Sequence, residues 1–93
     1  MFDELFEIIE RRKNAEPTGS YTKRLMESGE DQIVRKINEE SLEVILAAKC
    51  EGDQRLIEEA ADLIYHLFVL LAFKDISLDQ VKAELHQRHQ RSL

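Results

Sequence analysis

The chain has 93 residues and a formal net charge of −6 at pH 7. This length makes one domain, residues 1–93, with a modest core, and the acidic balance argues against a nucleic-acid polymer as partner. The longest apolar run, from Leu67 to Phe73, is far shorter than the ~20 residues of a membrane span, and the single cysteine, Cys50, excludes an intrachain disulfide and favours the reducing cytoplasm.

Helical spacing of apolar residues begins at the N-terminus. It predicts a first amphipathic helix that starts near Phe2 and ends near Lys13. The following segment, residues 14–20, contains the only proline and one of three glycines and is the one clear loop. Ser20 or Thr18 is expected to cap a short second helix over residues 21–28.

Two long helices are predicted in the middle of the chain. The third covers residues 31–51 and is ended by Gly52, and the fourth covers residues 54–73 with Asp53 as its N-cap. Cys50, near the end of the third helix, is expected to be a small buried residue. Because the connection is short, the two helices should form an antiparallel hairpin.

A last helix follows a break at residues 74 and 75. Ser77 and Gln80 resemble a capping box, which predicts a helix through Leu85 and beyond. The polar tail, residues 89–93, is expected to fray. The predicted fold is therefore all-α, with four to five helices.

Two pairs of carboxylates stand out on the long helices. Glu40 with Glu43, and Glu59 with Asp62, are each spaced i, i+3, which places both acids of a pair on one side of a helix. The antiparallel hairpin brings the pairs face to face, where their repulsion is costly unless a cation neutralises it. Oxygen-only ligands suit Mg²⁺, or alternatively Mn²⁺. The four acids are therefore the candidate metal ligands.

Helical geometry sharpens this prediction. Glu40 falls inside an apolar stripe of the third helix, and an ionised carboxylate there needs a partner. The stripe consists of Ile33, Ile37, Val44 and Ala47. Glu59, Asp62 and His66 together border the apolar stripe of the fourth helix, which consists of Leu56, Ala60, Leu63, Leu67 and Leu70.

Each signal also has a simpler explanation. Acidic pairs on helices are usually solvated, and Lys36, one turn before Glu40, forms either an i, i+4 ion pair or a phosphate contact. Lys23 and Arg24 are either solvated or placed to meet phosphates. Tyr21 and Thr22 open a helix whose N-terminal N–H groups suit an anion. His66 is either a satisfied core residue or a residue that supports the metal ligands without binding the ion.

The second half of the fourth helix is apolar on nearly every side. Residues 67–73 contain no polar side chain, and a helix of this kind must be buried on every side. In so small a chain a second subunit is the expected cover. The sequence therefore predicts a homodimer whose paired hairpins complete a four-helix core.

The same acids carry a resemblance to a known family. The run EExxE at residues 39–43, followed by ExxD at residues 59–62, is similar to the signature of the all-α, MazG-like nucleotide pyrophosphohydrolases. Two further segments, GSYT at residues 19–22 and DLIYHL at residues 62–67, resemble the phosphoribosyl-ATP pyrophosphohydrolase family of histidine biosynthesis. The resemblance runs from about Gly19 to Arg88. One departure is Asn38, where the family commonly has glycine.

The resemblance implies Mg²⁺-dependent hydrolysis of phosphoribosyl-ATP between its α and β phosphates, in a cytoplasmic homo-oligomer. Two residues are then catalytic candidates: Glu40 as a metal ligand, and Glu39 to orient or deprotonate water. The remaining substrate contacts would come from Lys36, Tyr21, Thr22, Lys23 and Arg24.

Two alternatives remain open. A house-cleaning nucleoside triphosphate pyrophosphatase or dUTP hydrolase of the same superfamily would carry the same acids. A non-catalytic helical dimerisation module would leave the acids solvated and indifferent to Mg²⁺.

Overall fold

The structure, a computed structural model, describes residues 1–14 and 20–91. Within those residues the chain forms five α-helices and no strand, which confirms the all-α prediction. The helices are α1 (Phe2–Asn14), α2 (Tyr21–Ser28), α3 (Glu30–Leu46), α4 (Asp53–Phe73) and α5 (Leu78–Arg91). None of these helices is both long and apolar enough to cross a bilayer.

Local capping signals set two of the helix starts. The Ser20 side chain accepts a hydrogen bond from the Lys23 backbone N–H at 3.1 Å, so Ser20 is the N-cap of α2. Thr18, the alternative cap, lies outside the described residues. At α5, the Gln80 side-chain oxygen accepts from the Ser77 backbone N–H at 2.8 Å, and Ser77 Oγ accepts from the Gln80 N–H at 3.2 Å. The capping box is confirmed.

The third helix ends differently from the prediction. α3 stops at Leu46, and Ala47–Glu51 forms a π-helical turn before Gly52. Gly52, with φ of 89°, is the N-cap of α4, so the expectation that Asp53 would cap this helix is wrong. Glycine adopts this left-handed conformation without strain, and aspartate adopts it less easily. Cys50 is exposed on the π turn, which corrects the expectation that it is buried.

The last helix extends to the end of the described chain. α5 includes residues 89–91 of the tail, 89–93, that the sequence predicted to fray, and residues 92 and 93 lie outside the described residues. Its side chains beyond Val81 are all exposed through residue 90.

The core lies where α1, α2 and α3 meet the second half of α4. It contains Phe6, Ile9, Leu25, Met26, Ile33, Phe68, Val69, Ala72 and Leu78. The Phe68 ring meets the rings of Phe2 and Phe6 edge-on, with centroids 5.7 and 5.5 Å apart. Between residues 67 and 73 only Leu67 is exposed. The other helices of the same chain therefore bury much of the surface whose cover the sequence analysis assigned to a second subunit.

The buried faces of the two long helices differ in how well they follow the predicted stripes. Ile33 of α3 and Ala47 at the start of the π-helical turn are fully buried, and Glu40 is buried between them, while Ile37 and Val44 of the predicted stripe are half-buried. On α4 the buried line is rotated toward Glu59, His66 and Val69. The predicted stripe is only half-buried at Leu56, Ala60, Leu63 and Leu70, and exposed at Leu67. Along this line Glu59 lies beside Glu40 and Glu43 of α3, and His66 contacts Tyr21 of α2.

A lysine joins the ends of two helices. Lys13 Nζ donates to the Ala72 carbonyl at 2.8 Å and pairs with Asp75 at 2.6 Å. The Lys13 carbonyl in turn accepts from Lys23 Nζ at 3.0 Å. The α4 C-terminus thus receives a positive charge that satisfies a main-chain carbonyl and matches the helix dipole.

We expect Lys13→Met to lower the free energy of unfolding by about 2 kcal/mol, since hydrogen bonds to charged groups contribute roughly 1.5–3 kcal/mol. Urea unfolding measures the loss. Lys82→Met is the control, because it removes the exposed pair between Lys82 and Asp3 and should cost less than about 1 kcal/mol. Equal losses in the two variants would contradict the role assigned to Lys13.

Candidate metal centre

Three carboxylates from the two long helices meet in one place. Glu40 and Glu43 of α3 and Glu59 of α4 each offer an oxygen, and these oxygens all lie within 4.8 Å of one another. The i, i+3 spacing puts the first two on one side of α3, and the hairpin brings α4 beside them. We call these three residues the acid cluster.

Two members of the acid cluster are buried with an unsatisfied oxygen. Glu40 is 6% exposed and Glu59 is 3% exposed, while Glu43 is exposed. Among the described residues, Oε2 of Glu40 and Oε2 of Glu59 have no hydrogen-bond partner. Buried carboxylate oxygens without a partner are costly. Hard oxygen donors at this spacing fit a divalent cation, and the exposed Glu43 leaves the cluster open to solvent on one side.

The protonation of Glu59 reflects this crowding. The neighbouring Glu43 carboxyl, followed by burial, raises the pKa of Glu59 above its ordinary value of 4.5. The charges of Glu43 and Asp62 raise the pKa further, and Arg55 opposes them. The metal-free cluster therefore resists full ionisation.

Asp62, the fourth predicted ligand, stands at the edge of this group. Its side chain is exposed, and its carboxylate is not among those within 4.8 Å of one another. Its charge still acts on Glu59. The structure thus brings three of the four predicted ligands together and leaves the fourth adjoining them.

Lys36 lies beside the buried Glu40. Its Nζ is 3.2 Å from Glu39 Oε2 and 3.6 Å from Glu40 Oε1. The hydrogen bond to Glu39 is the largest of the contacts that raise the pKa of Lys36, so the lysine stays charged. The ion pair that the sequence offered as the simpler explanation is present. It also holds the half-exposed Glu39, which lies outside the acid cluster.

Arg55 is a site residue that the sequence analysis missed. Its Nη2 pairs with Glu59 Oε1, and its Nη1 donates to Glu58 Oε1 at 2.5 Å. Its Nε lies 3.9 Å from Glu51 Oε1. Arg55 precedes Glu59 by four residues, the same spacing that links Lys36 to Glu40, and that repetition was the available signal.

A buried histidine ties α4 to the start of α2. His66 is 4% exposed, and its Nδ1 lies 2.7 Å from the Asp62 carbonyl. A carbonyl only accepts, so Nδ1 carries a proton, and Nε2 lies 3.0 Å from the Tyr21 hydroxyl, from which it accepts when the ring is neutral. Next to this contact Thr22 Oγ1 hydrogen-bonds the Tyr65 hydroxyl. Burial raises the pKa of Tyr65, which stays protonated.

The residues proposed to contact substrate are placed unequally. Tyr21 and Thr22 are engaged by His66 and Tyr65, and the Arg24 guanidinium lies 5.9 Å from the centre of the Tyr21 ring. Lys23 donates to the Lys13 carbonyl at the end of α1. The structure therefore does not bring the Lys23 ammonium to the acid cluster, because the end of α1 holds it.

The raised pKa of Glu59 predicts a pH effect on the metal-free protein. A carboxyl whose folded pKa is raised contributes stability at low pH, and this contribution is lost as the pH rises through the folded pKa. Glu43→Gln removes the largest cause, so the variant should lose less stability than the wild type between pH 4.5 and neutrality. Urea unfolding in EDTA measures the difference.

The matched control for this comparison is Glu27→Gln, which removes one exposed acid outside the acid cluster. It should follow the wild-type pH dependence. A Glu43→Gln profile that coincides with the control would contradict the assigned coupling of Glu43 and Glu59.

Comparison with known proteins identifies the family. A model described as phosphoribosyl-ATP pyrophosphohydrolase matches residues 2–89. A protein named phosphoribosyl-ATP pyrophosphatase from Clostridium botulinum strain Hall is 50% identical over 91 residues, which cover 98% of this chain and 83% of that protein. A protein of the same name from Metallosphaera sedula is 48% identical over 88 residues, which cover 95% of this chain and 95% of that protein. The chain belongs to the phosphoribosyl-ATP pyrophosphohydrolase family.

Proposed function

We propose that this chain hydrolyses phosphoribosyl-ATP to phosphoribosyl-AMP and pyrophosphate, the second step of histidine biosynthesis, and that it requires Mg²⁺. Membership of the family supports the substrate and the bond broken. The observation that supports the metal most directly is the acid cluster with its two unpaired buried oxygens. The single cysteine fits the cytoplasm as the site of the reaction.

The chain's own donors suit a hard cation. Glu40, Glu43 and Glu59 would hold the ion, with Asp62 as the adjoining fourth carboxylate. When bound, Mg²⁺, or Mn²⁺ with the same preference for oxygen, neutralises phosphate charge and lowers the pKa of bound water. Glu43 is the exposed member of the acid cluster and faces the side from which substrate must approach.

Proton transfer is assigned to the outer carboxylate. Attack of water on a phosphorus atom of the α–β linkage would form a new P–O bond, break the bridging P–O bond and release pyrophosphate, and the proton of the water must pass to a base. Glu39 is half-exposed and oriented by Lys36 at 3.2 Å, so it is our candidate for orienting or deprotonating that water. Lys36 also offsets the negative charge of Glu40.

Recognition of the substrate is assigned to the start of α2. Tyr21 is 43% exposed, although its hydroxyl is held by His66, and Arg24 lies beside its ring. Tyr21 and Arg24 therefore stay in the proposed binding surface, whereas Thr22 is buried and bonded to Tyr65. His66 supports them from behind without binding the ion.

Pyrophosphate release with Mg²⁺ tests the proposed substrate. Phosphoribosyl-ATP is compared with ATP, dUTP and dCTP at equal concentrations. A strong preference for phosphoribosyl-ATP is expected. Preference for a nucleoside triphosphate would move the chain to the house-cleaning branch, and no release from any of them would favour the non-catalytic helical module.

Glu40→Gln should reduce turnover by at least about 100-fold, since even the outer partners of metal ligands cost 10–100-fold when they are removed. The fold should survive, because the change removes a buried negative charge that the metal-free protein does not fully neutralise. Steady-state turnover at saturating Mg²⁺ measures the loss. Full activity in this variant would refute the assignment of Glu40 as a ligand.

Thermal melts provide the control for this variant. Millimolar Mg²⁺ should raise the Tm of the wild type through binding to the folded state, and should leave Glu40→Gln much less affected. An unchanged wild-type Tm would favour the non-catalytic helical module.

We also propose that the enzyme is a homodimer. The described residues carry a patch of exposed apolar side chains on the α3–α4 hairpin, each more than half exposed: Leu42, Ile45, Leu46 and Ile57. The first three repeat at helical spacing along one side of α3. Contiguous exposed apolar surface of this kind is typical of a subunit contact. The patch replaces residues 67–73 as the surface on which the prediction rests.

Sedimentation at micromolar concentration should therefore give a dimer. Ile45→Glu should shift the protein toward monomer, because it places a charge in the proposed contact. Leu85→Glu is the matched control, since Leu85 is similarly exposed, 55% against 53%, but lies on α5. A monomeric wild type would refute the dimer, and equal dissociation of the two variants would refute the location of the contact.

A further inference from the structure

Each of the two buried glutamates of the acid cluster has a cation beside one of its oxygens. Lys36 Nζ lies 3.6 Å from Oε1 of Glu40, and Arg55 Nη2 pairs with Oε1 of Glu59. In each case the cation precedes its glutamate by one helical turn. In each case Oε2 is buried and has no partner among the described residues. The cations thus occupy one oxygen of each carboxylate and leave the other unpaired in the cluster.

Arg55 is itself fixed by neighbouring acids. Glu58 accepts from Nη1 at 2.5 Å, and Glu51, the last residue of the π-helical turn, lies 3.9 Å from Nε. The guanidinium is planar and rigid, so the contact at Nη1 also fixes the direction in which Nη2 points. Arg55 is therefore a rigid support for Glu59, although half of its side chain is exposed.

Two effects of Arg55 on a bound cation have opposite signs. As a positive charge near the acid cluster it repels a divalent ion, so its removal would tighten binding. As a holder of Oε1 it fixes the rotation of the Glu59 carboxylate, so its removal would weaken binding. The second effect should dominate, because Arg55 leaves Oε2 unpaired and because water screens the charge of a half-exposed side chain.

We propose that Arg55 is a positioning residue of the metal centre. By holding Oε1 of Glu59 it presents Oε2 to a divalent cation shared with Glu40 and Glu43. Lys36 lies at the corresponding position beside Glu40, at the longer distance of 3.6 Å. The proposal rests on the metal site of the proposed function, and it adds to that site a residue that does not itself bind the ion.

Titration with Mn²⁺ alone, followed by the electron paramagnetic resonance signal of the free ion, tests the proposal without substrate or turnover. Arg55→Gln should weaken Mn²⁺ binding by about tenfold or more, within the 10–100-fold effect of outer partners on metal affinity. Tighter or unchanged binding in Arg55→Gln would overturn the proposal.

Arg55→Lys separates geometry from charge. It keeps the positive charge and loses the fork, so positioning predicts weaker binding and simple electrostatics predicts no change. This variant also decides the question if Arg55→Gln fails to fold. Arg88→Gln is the matched control, because it removes an arginine from an exposed i, i+4 pair with Glu84 on α5, and it should bind Mn²⁺ as the wild type does.

The same titration distinguishes the two proposals. If the wild type binds Mn²⁺ and the Arg55 variants bind it with the same affinity, the role of Arg55 is overturned and the metal site stands. A wild type that binds no Mn²⁺ would overturn both the metal site and the role of Arg55.

Discussion

Repulsion among the carboxylates that the α3–α4 hairpin forces together is the constraint on which the rest of the site depends. Glu40 of α3 and Glu59 of α4 are both buried, and Glu43 adjoins them. The protein reduces this repulsion locally, with Lys36 on one helix and Arg55 on the other. Neither cation reaches Oε2 of its glutamate. The negative charge that remains uncompensated is what makes the cluster suitable for a divalent ion.

The scaffold around the cluster keeps the hairpin in register. α1 and α2 cover the second half of α4, so a core of nine buried apolar residues forms beyond the acids. Lys13 joins the ends of α1 and α4, and the contact between Tyr21 and His66 joins α2 to the part of α4 next to Asp62. The acid cluster therefore lies at one end of a packed unit. The free-energy cost of bringing its carboxylates together is offset by apolar packing at the other end.

The sequence predicted those features that depend on local chemistry. Helical periodicity located all five helices, and hydroxyl caps at Ser20 and Ser77 fixed two of their starts. The stripe that buries Glu40 was also predictable, because α3 contacts its neighbours along one face. The π-helical turn was not, since Ala47–Glu51 contains no residue that marks a change of helical register.

Features that depend on packing between distant segments could not be predicted in this way. The buried line of α4 includes His66 and Phe68, which contact residues of α2 and α1, and Lys23 Nζ donates to a carbonyl at the end of α1. At the candidate site, the i, i+3 spacing predicted the meeting of Glu40, Glu43 and Glu59. It did not predict that Asp62 stays exposed at the edge, which depends on the rotation of α4.

The contact between Tyr21 and His66 also limits what the proposed binding surface can recognise. When the imidazole is neutral, the Asp62 carbonyl takes its only proton, and the Tyr21 hydroxyl then gives its own proton to Nε2. Its oxygen then offers only lone pairs to a ligand. A phosphate oxygen, which also offers only lone pairs, is repelled at that atom. The Tyr21 hydroxyl is thus matched to a hydrogen-bond donor, such as a sugar hydroxyl or an exocyclic amino group, and anionic groups must find their partners elsewhere on the surface.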